Sequence, residues 1–215
     1  MSDAKGKISC SAMPEVIRSQ KVEAIMGDAR GGFEVGVFHV VLTDKDGNVL
    51  YEDIARNGTT TEFASEIWQS CRALATPVSL GQASRTLNIH CFTNSAASTG
   101  PQLVIGDTYA TSVSGTGASF DTGTYAPTTG TGWTAQPWTA GAPSGTSPVQ
   151  ITNSSAVAFV GAAQSNAVVG AYVYSENSAG TNGTLIATAN FSSGITGITA
   201  SDTLNVTFTS GLAVS

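Results

Sequence analysis

Leu204, Val206 and Phe208 alternate with Asn205, Thr207 and Thr209 near the end of the chain. A period of two puts successive side chains on opposite faces of a strand, so this segment predicts a strand with one wet face. Apolar runs bounded by Gly, Asn and Ser clusters predict strands near 156–161, 167–174, 184–191 and 203–209. Earlier, "GFEVGVFHVVLTDKDGNVLYEDIARNG" predicts a strand from Phe33 to Thr43, a turn over Asp44 to Asn48 and a second strand from Val49, which together make a hairpin. "RTLNIHCFTN" and "PQLVIGDTYATS" predict further strands. Strands at this spacing imply a mainly β protein: an antiparallel β-sandwich, of jelly-roll type by strand number.

Two stretches change period. "MPEVIRSQKVEAIMG" has Pro14 in a first-turn position, apolar Val16, Ile17, Val22, Ile25 and Met26, and Gly27 as a stop, which predicts a short helical arm within residues 1–32. In "TTTEFASEIWQSCRALATP", Thr59 and Glu62 fit a capping box, and Phe63, Ile67, Cys71 and Leu74 share one helical face before Pro77. The expected organisation is an arm over 1–32 and a β domain over 33–215. That domain holds a long Gly/Ser/Thr/Pro loop over 113–148. Phe120, Tyr125, Trp133 and Trp138 punctuate this loop, and the aromatics need something to pack on.

Charge sharpens this picture. All nine basic residues lie between Lys5 and Arg85, and the last 130 positions carry only Asp107, Asp121, Glu176 and Asp202, so composition changes near residue 90. Charged residues make up 11% of the chain, against roughly 25% in an ordinary soluble domain. Solvated faces must therefore be built from Thr, Asn and Ser, which hold water by hydrogen bonds. A net charge of −6 without a basic tract argues against nucleic acid and anionic membrane surfaces as partners. "MSDAKGKISC" lacks the apolar core of a signal peptide, so synthesis in a cytoplasm without export by that route is expected. Cys10, Cys71 and Cys91 are odd in number and lack metal-ligand spacing, which points to reduced thiols.

Candidate chemistry is sparse. "DKDGN" places Asp44, Asp46 and Asn48 like the start of a calcium loop, but Val49 stands where such a loop needs glycine, and a tight turn is the better reading. His39 and His90 fall within strands and read as sheet histidines, not as partners of a nucleophile. Of the late acids, Asp107 and Asp202 read as turn caps, and Glu176 as a loop residue in "SENSAG". Sequons at Asn57, Asn153, Asn182, Asn190 and Asn205 are expected by chance in so Asn/Ser/Thr-rich a chain. No metal, cofactor or catalytic residue is implied. Trp133 and Trp138 have two readings: anchors on a contact surface, or a lid over the domain's own core.

"FHVVLTDKDGNVLYED", the Trp-bearing segment and the closing "VVGAYVYSENSAGTNGTLIATANFSSGITGITASDTLNVTFTSG" occur in an order that resembles small virion structural proteins of tailed bacteriophages. In that family a "DxDGN" hairpin comes first, and a Gly-rich hairpin leads into a last strand of the "DTLNVTFT" type. The likeness covers 33–53 and 156–215. It implies a non-enzymatic capsid cement or decoration protein on the virion surface, assembled in the host cytoplasm. The implied partners are the major capsid protein and two further copies in a homotrimer. On this reading the arm would lie across neighbouring capsid subunits, with Phe120, Tyr125, Trp133 and Trp138 on the contact surface. The alternative is a tail or head-fibre component that meets the host surface with the same tryptophans on glycan. A virion depolymerase using the late acids is a third and weaker reading.

Overall fold

The computed structural model describes residues 33–56, 58–59, 86–94, 108–109, 125–139, 149–152, 155–176 and 183–212. The expected helices, over the N-terminal arm and between Thr59 and Pro77, lie outside the described residues, save that Thr59 itself is in a strand. Eleven strands occur in these segments: β1 Phe33–Thr43, β2 Val49–Arg56, β3 Gly58–Thr59, β4 Thr86–Asn94, β5 Tyr125–Pro127, β6 Gln136–Pro137, β7 Val149–Thr152, β8 Val157–Phe159, β9 Ala167–Glu176, β10 Gly183–Ile195 and β11 Thr203–Leu212. They form two antiparallel sheets, and the described residues contain almost no helix. One sheet runs β2-β1-β11-β7, with β8 also on β11; the other runs β3-β10-β9-β4-β5, with β6 also on β4.

The expected hairpin is present. β1 and β2 pair antiparallel from Val37 opposite Arg56 to Thr43 opposite Val49. The Asp44 carboxylate closes the turn, accepting from the Asp46 and Asn48 amides and from Asn48 Nδ2, each at 2.8 Å. These bonds hold the Asp44 pKa below its ordinary range, the Asn48 side chain contributing most. Asp202 works similarly before β11, accepting from the Thr199 amide at 2.7 Å. It is therefore the turn cap expected of it.

Alternation decides which faces meet. Phe38, Val40 and Leu42 on β1 and Leu204, Val206 and Phe208 on β11 all point inward. They join Ile89 and Cys91 of β4, Val168, Ala171 and Val173 of β9, and Ala187, Ala189 and Phe191 of β10 in a single apolar cluster between the sheets. The Phe38 and Phe208 rings lie 4.8 Å apart at its centre. The opposite positions on β11, Thr203, Asn205 and Thr207, are half-buried on the outer face, as the period of two requires. Cys91 is fully buried, and burial pushes its thiol pKa far up.

Both flanks of this core are closed. On one, the chain passes from β2 in the first sheet to β3 in the second, where Gly58 and Thr59 pair with Thr188 and Ala187. Asp53 accepts from the Ser192 amide at 2.7 Å, tying β2 to β10, and the Tyr51 hydroxyl lies 3.1 Å from both Asp53 Oδ2 and Ser193 O, between which its one hydrogen is shared. On the other flank both edge strands are broken. β5 and β6 lie in line along β4, and β7 and β8 lie in line along β11. The 113–148 segment, expected to be a loop, thus contributes two short strands. The strand expected over 101–112 is absent at Thr108 and Tyr109; its other residues lie outside the described ones.

The break in β5–β6 depends on glycine. The Trp133 amide donates to Gly130 O at 3.0 Å, and Gly132 takes a φ of +76 in the third position of the turn. A Cβ at Gly132 would run into the carbonyl oxygen of Val160. Gly47 has a comparable φ of +82, but a Cβ there would meet nothing within 4 Å. Gly47→Ala is therefore expected to cost about 1–2 kcal/mol from backbone strain alone. Gly132→Ala should cost at least ~2 kcal/mol more, because overpacking adds to the same strain. Urea denaturation of the two variants beside the parent protein measures the difference.

Candidate functional site

Residues 128–135 leave the edge of β4 between β5 and β6, and this excursion carries Trp133 into the interior. Its side chain is 0% exposed and packs on Phe159 with ring centroids 5.8 Å apart. Trp138 follows β6. Its amide donates to Leu87 O at 2.8 Å, and its ring meets Phe208 edge-on at 5.5 Å with 8% exposure. Both tryptophans thus form part of the core cluster. The surface placement expected for Trp133 and Trp138 gives way to the lid reading, because both rings are buried in the core cluster beside the broken edge strands, their indole N–H groups enclosed with them. Tyr125 begins β5 opposite Asn94, and Phe120 lies outside the described residues.

A histidine holds the excursion in place. His90 points to the outer face of the second sheet, directly opposite Tyr172 on β9. Its Nε2 lies 3.0 Å from both Thr128 O and Trp133 O. Both partners are acceptors, so Nε2 carries the hydrogen and shares it between them. In the neutral ring Nδ1 is then the acceptor, and the Tyr172 hydroxyl, 2.9 Å away, donates to it. The ring is neutral, in the Nε2–H tautomer. Burial pushes the imidazole pKa below its ordinary 6.5, and the two carbonyls oppose that only in part. Burial likewise raises the Tyr172 hydroxyl well above its ordinary range. Thr128 completes the clamp: its amide donates to Cys91 O at 3.0 Å, and its hydroxyl to Trp133 O at 2.7 Å.

Farther along this outer face lies a second polar group. Glu176 ends β9 and is not the loop residue expected. Its Oε1 accepts from Asn88 Nδ2 and its Oε2 from the Tyr109 hydroxyl, each at 2.9 Å. Burial and this carboxylate together push the Tyr109 pKa up to about 12. Tyr109 and Tyr172 flank Tyr174, each with its ring centroid 5.7 Å away, so the outer face carries a small aromatic core of its own.

The outer face of the first sheet is different. His39 Nε2 and Glu52 Oε1 pair at 2.9 Å between β1 and β2, and His39 stands opposite Thr207 on β11. Glu52 is opposite Val41, which is opposite Asn205. The described part of β11 adds no charge to this face.

Most of these arrangements close a turn or fasten one element to another. Neither histidine is hydrogen-bonded to a serine, threonine or cysteine side chain. Every acid whose side chain is described, from Asp44 to Asp202, has a hydrogen-bond or ion-pair partner within the chain. Among the described residues no three His, Cys, Asp or Glu gather as a metal site, and no helix is long and apolar enough to cross a membrane. The chain matches no family model, no curated protein and no solved structure. Tyr172 and Thr128 escape a reading of the sequence. Their one trace there is the alternation of Tyr172 and Tyr174 with Val173, which sets the tyrosines on one face.

Two tests of the clamp follow from its chemistry. The unfolded histidine titrates near 6.5 and the folded one lower, so between those values the unfolded chain binds more protons. The stabilising term is complete above the unfolded value and declines as pH falls toward the folded one. Denaturation midpoints taken from about pH 7.5 down to about pH 5.5 should fall, and the fall should be smaller in His90→Gln. Tyr172→Phe strips Nδ1 of its donor and should cost about 1–3 kcal/mol at neutral pH, read from the same titrations.

Proposed function

We propose that the protein is a non-enzymatic structural component of a virion: a capsid cement or decoration protein that bridges and stabilises a major-capsid lattice as a homotrimer. The observation that carries this reading is the use made of the polar side chains. Most of the described acids, and His90, close turns or fasten one element to another, and β11 adds Thr203, Asn205 and Thr207 to the outer face of the first sheet, beside Val41, Ile54 and the His39–Glu52 pair. A face low in charge suits a surface repeated many times over, because weak contacts multiply by avidity on a lattice. Binding only the expanded shell would stabilise it by linkage.

Burial of Trp133 and Trp138 moves the contact surface of this proposal to that outer face. The same burial removes the glycan-stacking pair that favoured a host-binding fibre. In architecture we propose a β-sandwich. Its jelly-roll form has less support, since the hairpin β1–β2 lies within one sheet and β9 and β10 are neighbours within the other.

Mixing the protein with expanded capsids that lack it tests the reading. Saturable binding in lattice-like stoichiometry is expected, with a trimer by light scattering. Asn205→Arg and Thr207→Lys should keep the parental Tm and bind at least tenfold more weakly, a loss of about 1.4 kcal/mol or more. No binding by the parent protein would refute the cement role. Undiminished binding by both variants would refute this face as the contact.

A further inference from the structure

On the outer face of the second sheet, next to the His90–Tyr172 pair, two polar atoms of β10 are buried without a hydrogen-bond partner: Thr188 Oγ1 and Asn190 Oδ1. Thr188 is 4% exposed and stands directly opposite Tyr172, whose hydroxyl is already engaged by His90. Across its other edge the opposing residue is Gly58, which brings no side chain to meet it. Ala187, Ala189 and Phe191 point into the core, so Thr188 and Asn190 share the opposite face. Residues two apart on a strand are roughly 6.5 Å apart along it. One atom accepting or donating at about 2.8 Å to each side nearly spans that distance.

We propose that Thr188 and Asn190 together bind one buried water molecule, which bridges Oγ1 and Oδ1. The chemistry of the pair selects the ligand. A carboxamide oxygen only accepts, so the ligand must donate a hydrogen, which excludes an anion. Two neutral oxygens have neither the number nor the charge to hold a divalent cation. Water donates to Asn190 and can exchange a second hydrogen bond with the Thr188 hydroxyl, and buried waters of this kind serve polar groups that lack protein partners. The water would fasten β10 where its pairing with β3 ends, and so stiffen the edge beside the Tyr172 row.

Thr188→Val tests this, because valine keeps the branched shape and removes only the hydroxyl. If the water is bound, the variant leaves it a partner short and the Tm should drop by roughly 2–4 °C. If the hydroxyl is without a partner, valine relieves a buried polar group, and an unchanged or higher Tm overturns the proposal. Should the variant fail to fold, a crystal structure of the parent protein decides. Density for a water within hydrogen-bond distance of both atoms supports the site, and a direct Thr188–Asn190 contact or no density refutes it.

Discussion

The neutral imidazole of His90 is the group on which the closed form of this protein depends. It stands at the edge of a sheet, where an excursion of the chain turns two carbonyls, Thr128 O and Trp133 O, away from water. A buried carbonyl without a donor costs about 1–3 kcal/mol, so two of them would make the excursion unfavourable by itself. One N–H shared between them, with Tyr172 holding the other side of the ring, makes the path acceptable. Trp133 can then stay between the sheets against Phe159. Protonation would place a charge in this buried setting, which is why the ring resists it.

The opposite flank uses the same logic with different groups. Asp53 and Tyr51 tie β2 to the far end of β10, and the chain itself crosses from β2 into β3. Both ends of the core are thus shut by hydrogen bonds between elements distant in sequence. A chain with only 11% charged residues has few ion pairs to draw on, and its described side chains show one cross-strand pair, His39 with Glu52. Broken edge strands on the Trp133 flank also limit edge-to-edge pairing with other copies, a hazard that low charge would otherwise sharpen.

Legibility in the sequence followed the hydrophobic period. β1, the Asp44–Asn48 turn, β2, β4 and the run from β8 to β11 were readable, because their inward residues alternate or cluster between turn formers. β5, β6 and β7 were not. They are two to four residues long, sit among Gly, Pro, Ser and Thr, and exist because β4 and β11 offer them an edge. Tertiary context overrode local propensity there. The same limit applied to the site. Trp133 and Trp138 announced a need for packing, but whether they packed on their own core or on a partner depended on that unseen gap. His90 read rightly as a sheet histidine, while its cross-strand neighbour Tyr172 follows from register, which period alone leaves open. Glu176 looked like a loop residue because a run of polar residues follows it, and only its two donors reveal its role.

The strand β11 brings no charge to the outer face of the first sheet, and the proposed place in a capsid lattice rests on that. The clamp itself is open to direct observation by nitrogen NMR of the histidine side chains. Near neutral pH the His90 ring should show the Nε2–H tautomer and titrate below 6.5, while the excursion carrying Trp133 stays packed. An Nδ1–H tautomer, or a charged ring at that pH, would contradict the account, because neither leaves Nδ1 free to accept from Tyr172 while Nε2 serves both carbonyls.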